Sequence, residues 1–215
     1  MDDFDLTQYQ GKWYEQGFHD WTQFKEVYDT TLDIKVTPQG PLPPEGWVDD
    51  FGVKAPSPGR SPLAWDKSPV ANGAHYFMSG RVSKDDPVGV LREKGFGVEF
   101  PNYIVDVKKD AEGTGYSEAI QFQCLEVGGV RVFEGINLMS RNEVMTPEEK
   151  SGMEERVEQA GLGKYGGTGE QVHWNERRME REGNVEGVWQ DFWEKIGVGK
   201  LLELLTESIE DGGRS

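Results

Sequence analysis

Alternation dominates the chain. From Lys25 to Val36, Tyr28, Thr30, Leu32, Ile34 and Val36 alternate with Val27, Asp29, Thr31, Asp33 and Lys35, the two-residue period of a half-buried strand. Further strand-like segments begin at His75, Val88, Phe96, Asn102, Tyr116 and Val130, separated by the turn signals DDP, KG, PN, AEGTG and GG. With no helical period between them, these segments predict an antiparallel meander. Counting the stretch that opens at Gly11, there are eight, enough to close into a barrel that leaves no edges and encloses an interior for one small ligand.

The pattern breaks in three places. Between Pro38 and Pro69 lie eight of the eleven prolines, which remove backbone donors and predict a long insertion over 38–74. Its Trp47, Phe51 and Trp65 are expected to pack on the domain or to form a lid. From Thr146 to Gly161 the period changes: an N-cap threonine, Pro147 in the first turn, two glutamates and a closing glycine predict one helix outside the barrel. Gln171 to Arg178 reads as a short further strand. Beyond it, Val185, Val188, Trp189, Phe192, Trp193 and Ile196 fall on one helical stripe, continued by Val198, Leu201, Leu202, Leu205 and Ile209. The fold class expected is therefore all-β with added helices: an eight-stranded antiparallel barrel over 1–180 and an amphipathic helical extension over 181–215.

Composition narrows the partners. A formal net charge of −16 over 215 residues repels nucleic acid and anionic lipid. No stretch approaches the run of apolar residues that crosses a bilayer, and MDDFDLTQ is acidic where a secretory signal is basic, so a soluble chain is expected. In the tail, Glu186, Asp191, Glu194 and Glu203 oppose the apolar stripe, which favours a protein partner docking through 185–209, with Trp189, Phe192, Trp193 and Ile196 as anchors. Packing of that stripe on the barrel itself is the competing expectation.

Candidate chemistry is sparse. His19, His75 and His173 have no metal-ligand spacing, and Cys124 lies in an alternating strand with no histidine near it in sequence. GLGKYG, Gly161 to Gly166, matches a dinucleotide fingerprint by letter but follows a helix, so it reads as a linker. DAEGTGYSEAIQ has the look of a calcium loop, yet it ends on Gln121 and is flanked by strands. No metal and no catalytic residue is expected.

Three stretches carry a family resemblance. FDLTQYQGKWYE, with Gly11 and Trp13 two apart, is similar to the first lipocalin signature; GYSEAIQF is a looser match to the second; INLMSRNEVMTPEE closely resembles the third. The resemblance implies that Arg141 stacks across Trp13 at the narrow end of a barrel, a contact that covers an indole face and adds a cation–π attraction. It also implies a small hydrophobic cargo: a lipid, sterol, retinoid or carotenoid. Tyr28, Leu32, Ile34, Phe77, Phe100, Tyr103, Val105, Phe122, Phe133 and Met139 are the candidates for the lumen lining or the helix-covered wall, their facing dependent on register. An alternative role is that of an interaction subunit in a membrane-associated, photosynthetic assembly.

NYIVDVKKDAEGTGYSEAIQFQ also resembles strands of violaxanthin de-epoxidase, which leans the source toward a plastid. The enzyme's pattern needs a tyrosine where Phe122 stands, and a phenyl ring exchanges no proton. Catalysis of that kind is therefore not expected.

Overall fold

A computed structural model of the chain describes residues 3–19, 27–38, 45–54, 74–83, 85–95, 98–165 and 172–177; for residues 37–38, 45–54, 74–77, 95, 98, 100 and 127 the description is of the backbone. A one-turn helix α1 (Leu6–Tyr9), capped by the Asp5 carboxylate accepting from the Thr7 N–H, leads into β1 (Gly11–His19). Then come β2 (Tyr28–Pro38), β3 (Glu45–Lys54), β4 (Ala74–Arg81), β5 (Val90–Gly95), β6 (Val98–Lys109), β7 (Tyr116–Val127) and β8 (Val130–Ser140). After these come helix α2 (Pro147–Gln159), a single 3-10 turn at Gly163–Tyr165 and the short strand β9 (His173–Trp174).

Each strand from β1 to β7 pairs antiparallel with the next, and β1 pairs with both β8 and β2. That double pairing joins the eight strands into a barrel, with its seam between β1 and β2.

The count of eight is as expected, but two of its members are not. The insertion read as 38–74 contains a strand: β3 pairs with β2 from Tyr28↔Lys54 to Pro38↔Glu45 and with β4 along its other side. Its sequence, EGWVDDFGVK, carries two glycines and three acidic residues, which hides its period. Conversely, the segments beginning at Phe96 and Asn102 are one strand, β6. Pro101 interrupts them by letter, but the ladder with β7 begins only at Asn102, so the proline stands at the margin of that ladder.

β1 and β2 pair only over Gly11–Tyr14, after which they diverge. The segment 172–177 fills the seam: Gly17 pairs with Trp174 and Phe18 with His173 on one side, and Tyr28 bridges Glu176 on the other. Gly17 permits this approach, since a Cβ there would lie 2.8 Å from Val172 Cγ1. Arg177 ties both walls, donating to the Glu15 carbonyl at 2.5 Å and the Thr30 carbonyl at 2.8 Å.

Helix α2 begins as the pattern predicts. The Thr146 hydroxyl accepts from the Glu149 N–H and the Glu149 carboxylate accepts from the Thr146 N–H, a complete capping box. Its Met153 and Val157 pack with Tyr165 on Ile120, Ile136 and Leu138, the outward row of β7 and β8. Arg156 pins the helix to the wall through Asp106 at 2.8 Å and Glu118 at 2.5 Å. The tail from 178 onward, including Trp189, Phe192, Trp193 and Ile196, lies outside the described residues.

Candidate functional site

The interior begins at its floor. Trp13 is fully buried on the inward row of β1, and its indole N–H donates to the Tyr9 carbonyl at 2.7 Å. The Arg141 guanidinium lies over the indole with Cζ 3.6 Å from the ring centroid. It also donates to the carbonyls of Lys12 (2.6 Å), Gln10 (2.7 Å), Tyr9 (3.0 Å) and Tyr116 (3.2 Å). One side chain thus fastens α1, β1 and β7 beneath the barrel. Burial pushes the Arg141 pKa down to about 10, against the pull of Tyr9 and Asp33, and the guanidinium remains charged at neutral pH. Glycine suits position 11: its φ is +99° and a Cβ would come within 3.3 Å of Arg141 Nη1. Tyr9, Phe4 and Tyr116 complete the plug, with Phe4 and Tyr116 stacked 5.8 Å apart.

Above the plug lies an apolar layer of Leu32, Ile34, Leu91, Ile104, Ala119 and Met139. Higher on the same inward rows polar side chains stand among apolar ones, with Phe18 opposite Asn137 and Phe133 beyond it. Asn137, between outward Ile136 and Leu138, donates to Glu15 at 2.5 Å, and Asn175 from the seam segment donates to the same carboxylate at 3.0 Å. Across the barrel Asn102 donates to Glu93 at 2.8 Å. Gln121 pairs with Asn137 in register and lies 3.5 Å from the Tyr9 hydroxyl. Just outside this layer, Arg177 sits over the Tyr14 ring at 5.2 Å; burial lowers its pKa while Glu15 and Asp29 oppose the shift.

The expected lining residues divide. Leu32, Ile34 and Met139 belong to the interior cluster. Phe133 is buried opposite Leu125, and alternation sets it on the Met139 row. Tyr28 is buried where β2 meets the seam segment. Tyr103, Val105 and Phe122 fall on the other of the two expected faces, the helix-covered wall. Val105 and Phe122 pack with the α2 cluster on the outside, and Tyr103 pairs with Phe122 on that outer row. The cause is parity: Asn102 and Ile104 point inward, and the irregularity between Ile104 and Asp106 leaves Val105 on the helix side. Phe122, where the de-epoxidase resemblance would need a tyrosine, is therefore outside the lumen. The backbones of Phe77 and Phe100 lie in β4 and β6, and their side chains lie outside the described residues. Glu15, Glu93, Asn102, Asn137 and Asn175 escaped the sequence reading, although Glu15 follows Trp13 by two positions and so shares its face.

The same architecture recurs in solved structures. Insecticyanin from the tobacco hornworm Manduca sexta superposes with a TM-score of 0.54 at 15% identity over 86% of this chain and 88% of that one. The siderocalin Ex-FABP matches with a TM-score of 0.51 at 15% identity over 83% and 98%, and lobster apocrustacyanin A1 with 0.50 at 11% over 73% of each. This chain has the lipocalin fold. No protein-family model and no curated protein matches its sequence, and at these identities the likeness is one of fold. Within that lipocalin fold, the stacked Arg141 and Trp13 close one end. Among the described residues there is no group of three or more His, Cys, Asp or Glu side chains that could hold a metal ion, and no helix is long and apolar enough to cross a membrane.

Proposed function

We propose that the protein binds a small molecule with a largely apolar body inside the barrel and carries or shelters it without chemical change. The observation that carries this reading is the asymmetry of the interior. One end is sealed by Trp13 and Arg141, an apolar layer follows, and above it stand polar side chains, several with atoms that no protein group satisfies. Such an arrangement suits an occupant that buries its body by desolvation and orients by a few polar contacts. Similarity of fold to a siderocalin described as acting through dual ligand specificities, and to insecticyanin and an apocrustacyanin, supports it.

The reading predicts that a neutral apolar dye, N-phenyl-1-naphthylamine, enters the barrel. Ile34→Trp, which fills the interior, is expected to abolish the dye's fluorescence enhancement, whereas Phe122→Trp on the helix-covered face leaves it unchanged. Equal dye binding by both variants, each folded by circular dichroism, would overturn the proposal. Absence of any binding to the unaltered chain would do so as well.

A further inference from the structure

The barrel is fastened unevenly at its seam. β1 and β2 share a ladder only from Gly11↔Ile34 to Tyr14↔Thr31, and beyond it residues 172–177 run between them as a strap. Against β1 the strap forms an antiparallel ladder, Gly17↔Trp174 and Phe18↔His173. The Asn175 N–H donates to the Gln16 carbonyl at 2.8 Å, and the Asn175 side chain donates to the Glu15 carbonyl and carboxylate at 2.9 and 3.0 Å. Against β2 the pairing is one isolated parallel bridge, Tyr28↔Glu176. There the Asp29 N–H donates to the Glu176 carbonyl at 3.0 Å, and Arg177 reaches the Thr30 carbonyl at 2.8 Å.

The β2 side is also where the backbone is strained. Asp29 has a φ of +51°, the one non-glycine residue with a positive φ among the described residues, and the register of β2 against β3 shifts between Tyr28 and Thr31. A left-handed residue with a Cβ persists where surrounding contacts impose it, and here the strap holds its N–H. Polar atoms add to the cost. Of the five side-chain polar atoms buried without a partner among the described residues, four surround the seam: Thr30 Oγ1, Asn137 Oδ1, Asn175 Oδ1 and Arg177 Nε. Asn137 and Asn175 donate to the two oxygens of the Glu15 carboxylate, and Arg177 links the Glu15 and Thr30 carbonyls, so all four meet at one junction. With the strap in place such atoms lose water and gain no partner; parting of the strap from β2 returns water to them.

We propose that the strap 172–177 is a side door: it stays on β1, parts from β2 with Asp29 as the hinge, and opens the barrel laterally so that cargo reaches the interior between β1 and β2. This rests on the carrier reading above and adds its route of entry. In opening, Arg177 keeps the Glu15 carbonyl and gives up that of Thr30, and Asp29 is released from the contact that holds it left-handed. Behind the door Thr30 leads by alternation to Leu32 and Ile34 of the apolar layer, so a molecule that passes the polar seam meets apolar surface next.

The test uses the full chain carrying Cys124→Ser, with Tyr28→Cys and Glu176→Cys to lock the strap to β2. Paired positions on adjacent strands lie about 5 Å apart, within the span of a disulfide. Uptake of N-phenyl-1-naphthylamine is followed by stopped-flow fluorescence. The oxidised protein is expected to take up the dye at least about tenfold more slowly than the same protein reduced, at an affinity within about threefold. Hydrogen exchange on the unaltered chain supplies a second reading that stands even if the variant fails to fold. The Asp29 N–H, on the side that opens, should be protected at least about tenfold less than the Asn175 N–H, on the side that stays. Equal uptake by the oxidised and reduced forms, or equal protection of the two amides, overturns the side door while dye binding leaves the carrier reading intact. If the unaltered chain binds no dye, both fall.

Discussion

Replacing Arg141 with methionine tests the closure on which the architecture depends. Methionine keeps an apolar stem over the indole, so the loss is confined to charge and donors. The stacked guanidinium, 3.6 Å from the Trp13 ring centroid, contributes about 1–2 kcal/mol as a cation–π contact. The bonds to the Lys12 and Gln10 carbonyls lie at the surface, where water replaces them at little cost. Those to the Tyr9 and Tyr116 carbonyls are partly buried and contribute about 1 kcal/mol each. The sum is about 3–4 kcal/mol, or a shift of about 1.5–2 M in a urea midpoint for an unfolding slope near 2 kcal/mol/M. Arg141→Lys should recover less than half of it, because one ammonium cannot span carbonyls on α1, β1 and β7 while lying flat on an indole. Urea unfolding followed by tryptophan fluorescence and far-ultraviolet circular dichroism provides the assay. A methionine variant within about 0.5 kcal/mol of the unaltered chain, or a lysine variant equal to it, would refute the closure argument.

Other consequences follow from the same geometry. Gly11→Ala places a Cβ 3.3 Å from Arg141 Nη1 at a φ of +99° and should cost about 1–3 kcal/mol by the same assay; a loss below that range would mean that the turn into β1 relaxes freely. The Glu149 carboxyl is held below its ordinary pKa, first by the Thr146 backbone N–H and then by the Thr146 and Asn142 side chains. A depressed folded pKa contributes stability that is present above the ordinary value and lost as pH falls through the folded one. Stability should therefore decline on acidification below about pH 4.5, and Glu149→Gln should flatten that decline, with an unchanged slope counting against the capping box.

Much of the barrel was legible because its signals are local. Alternation within β2, β7 and β8, the Thr146 cap with Pro147 and Glu149, and the glycine and tryptophan opening β1 each follow from a few adjacent residues, whose side-chain period and backbone donors do not depend on the rest of the chain. The Arg141 and Trp13 contact was legible through resemblance, and the 3.6 Å stack bears it out.

Other features belong to the tertiary structure alone. That EGWVDDFGVK is a strand follows from β2 and β4 on either side of it, which override a weak intrinsic preference. Whether Val105 faces the lumen or the helix depended on a single irregularity in β6 between Ile104 and Asp106, invisible to an alternation rule that assumes none, and the outward place of Phe122 followed only once Ala119 and Gln121 were set on the inward row. The use of residues 172–177 as a seam, and the meeting of Glu15 with Asn137 and Asn175, joins positions up to 160 apart in sequence. Local pattern specifies which face of a strand is apolar; only closure of the cylinder decides which polar residues on that face meet inside it.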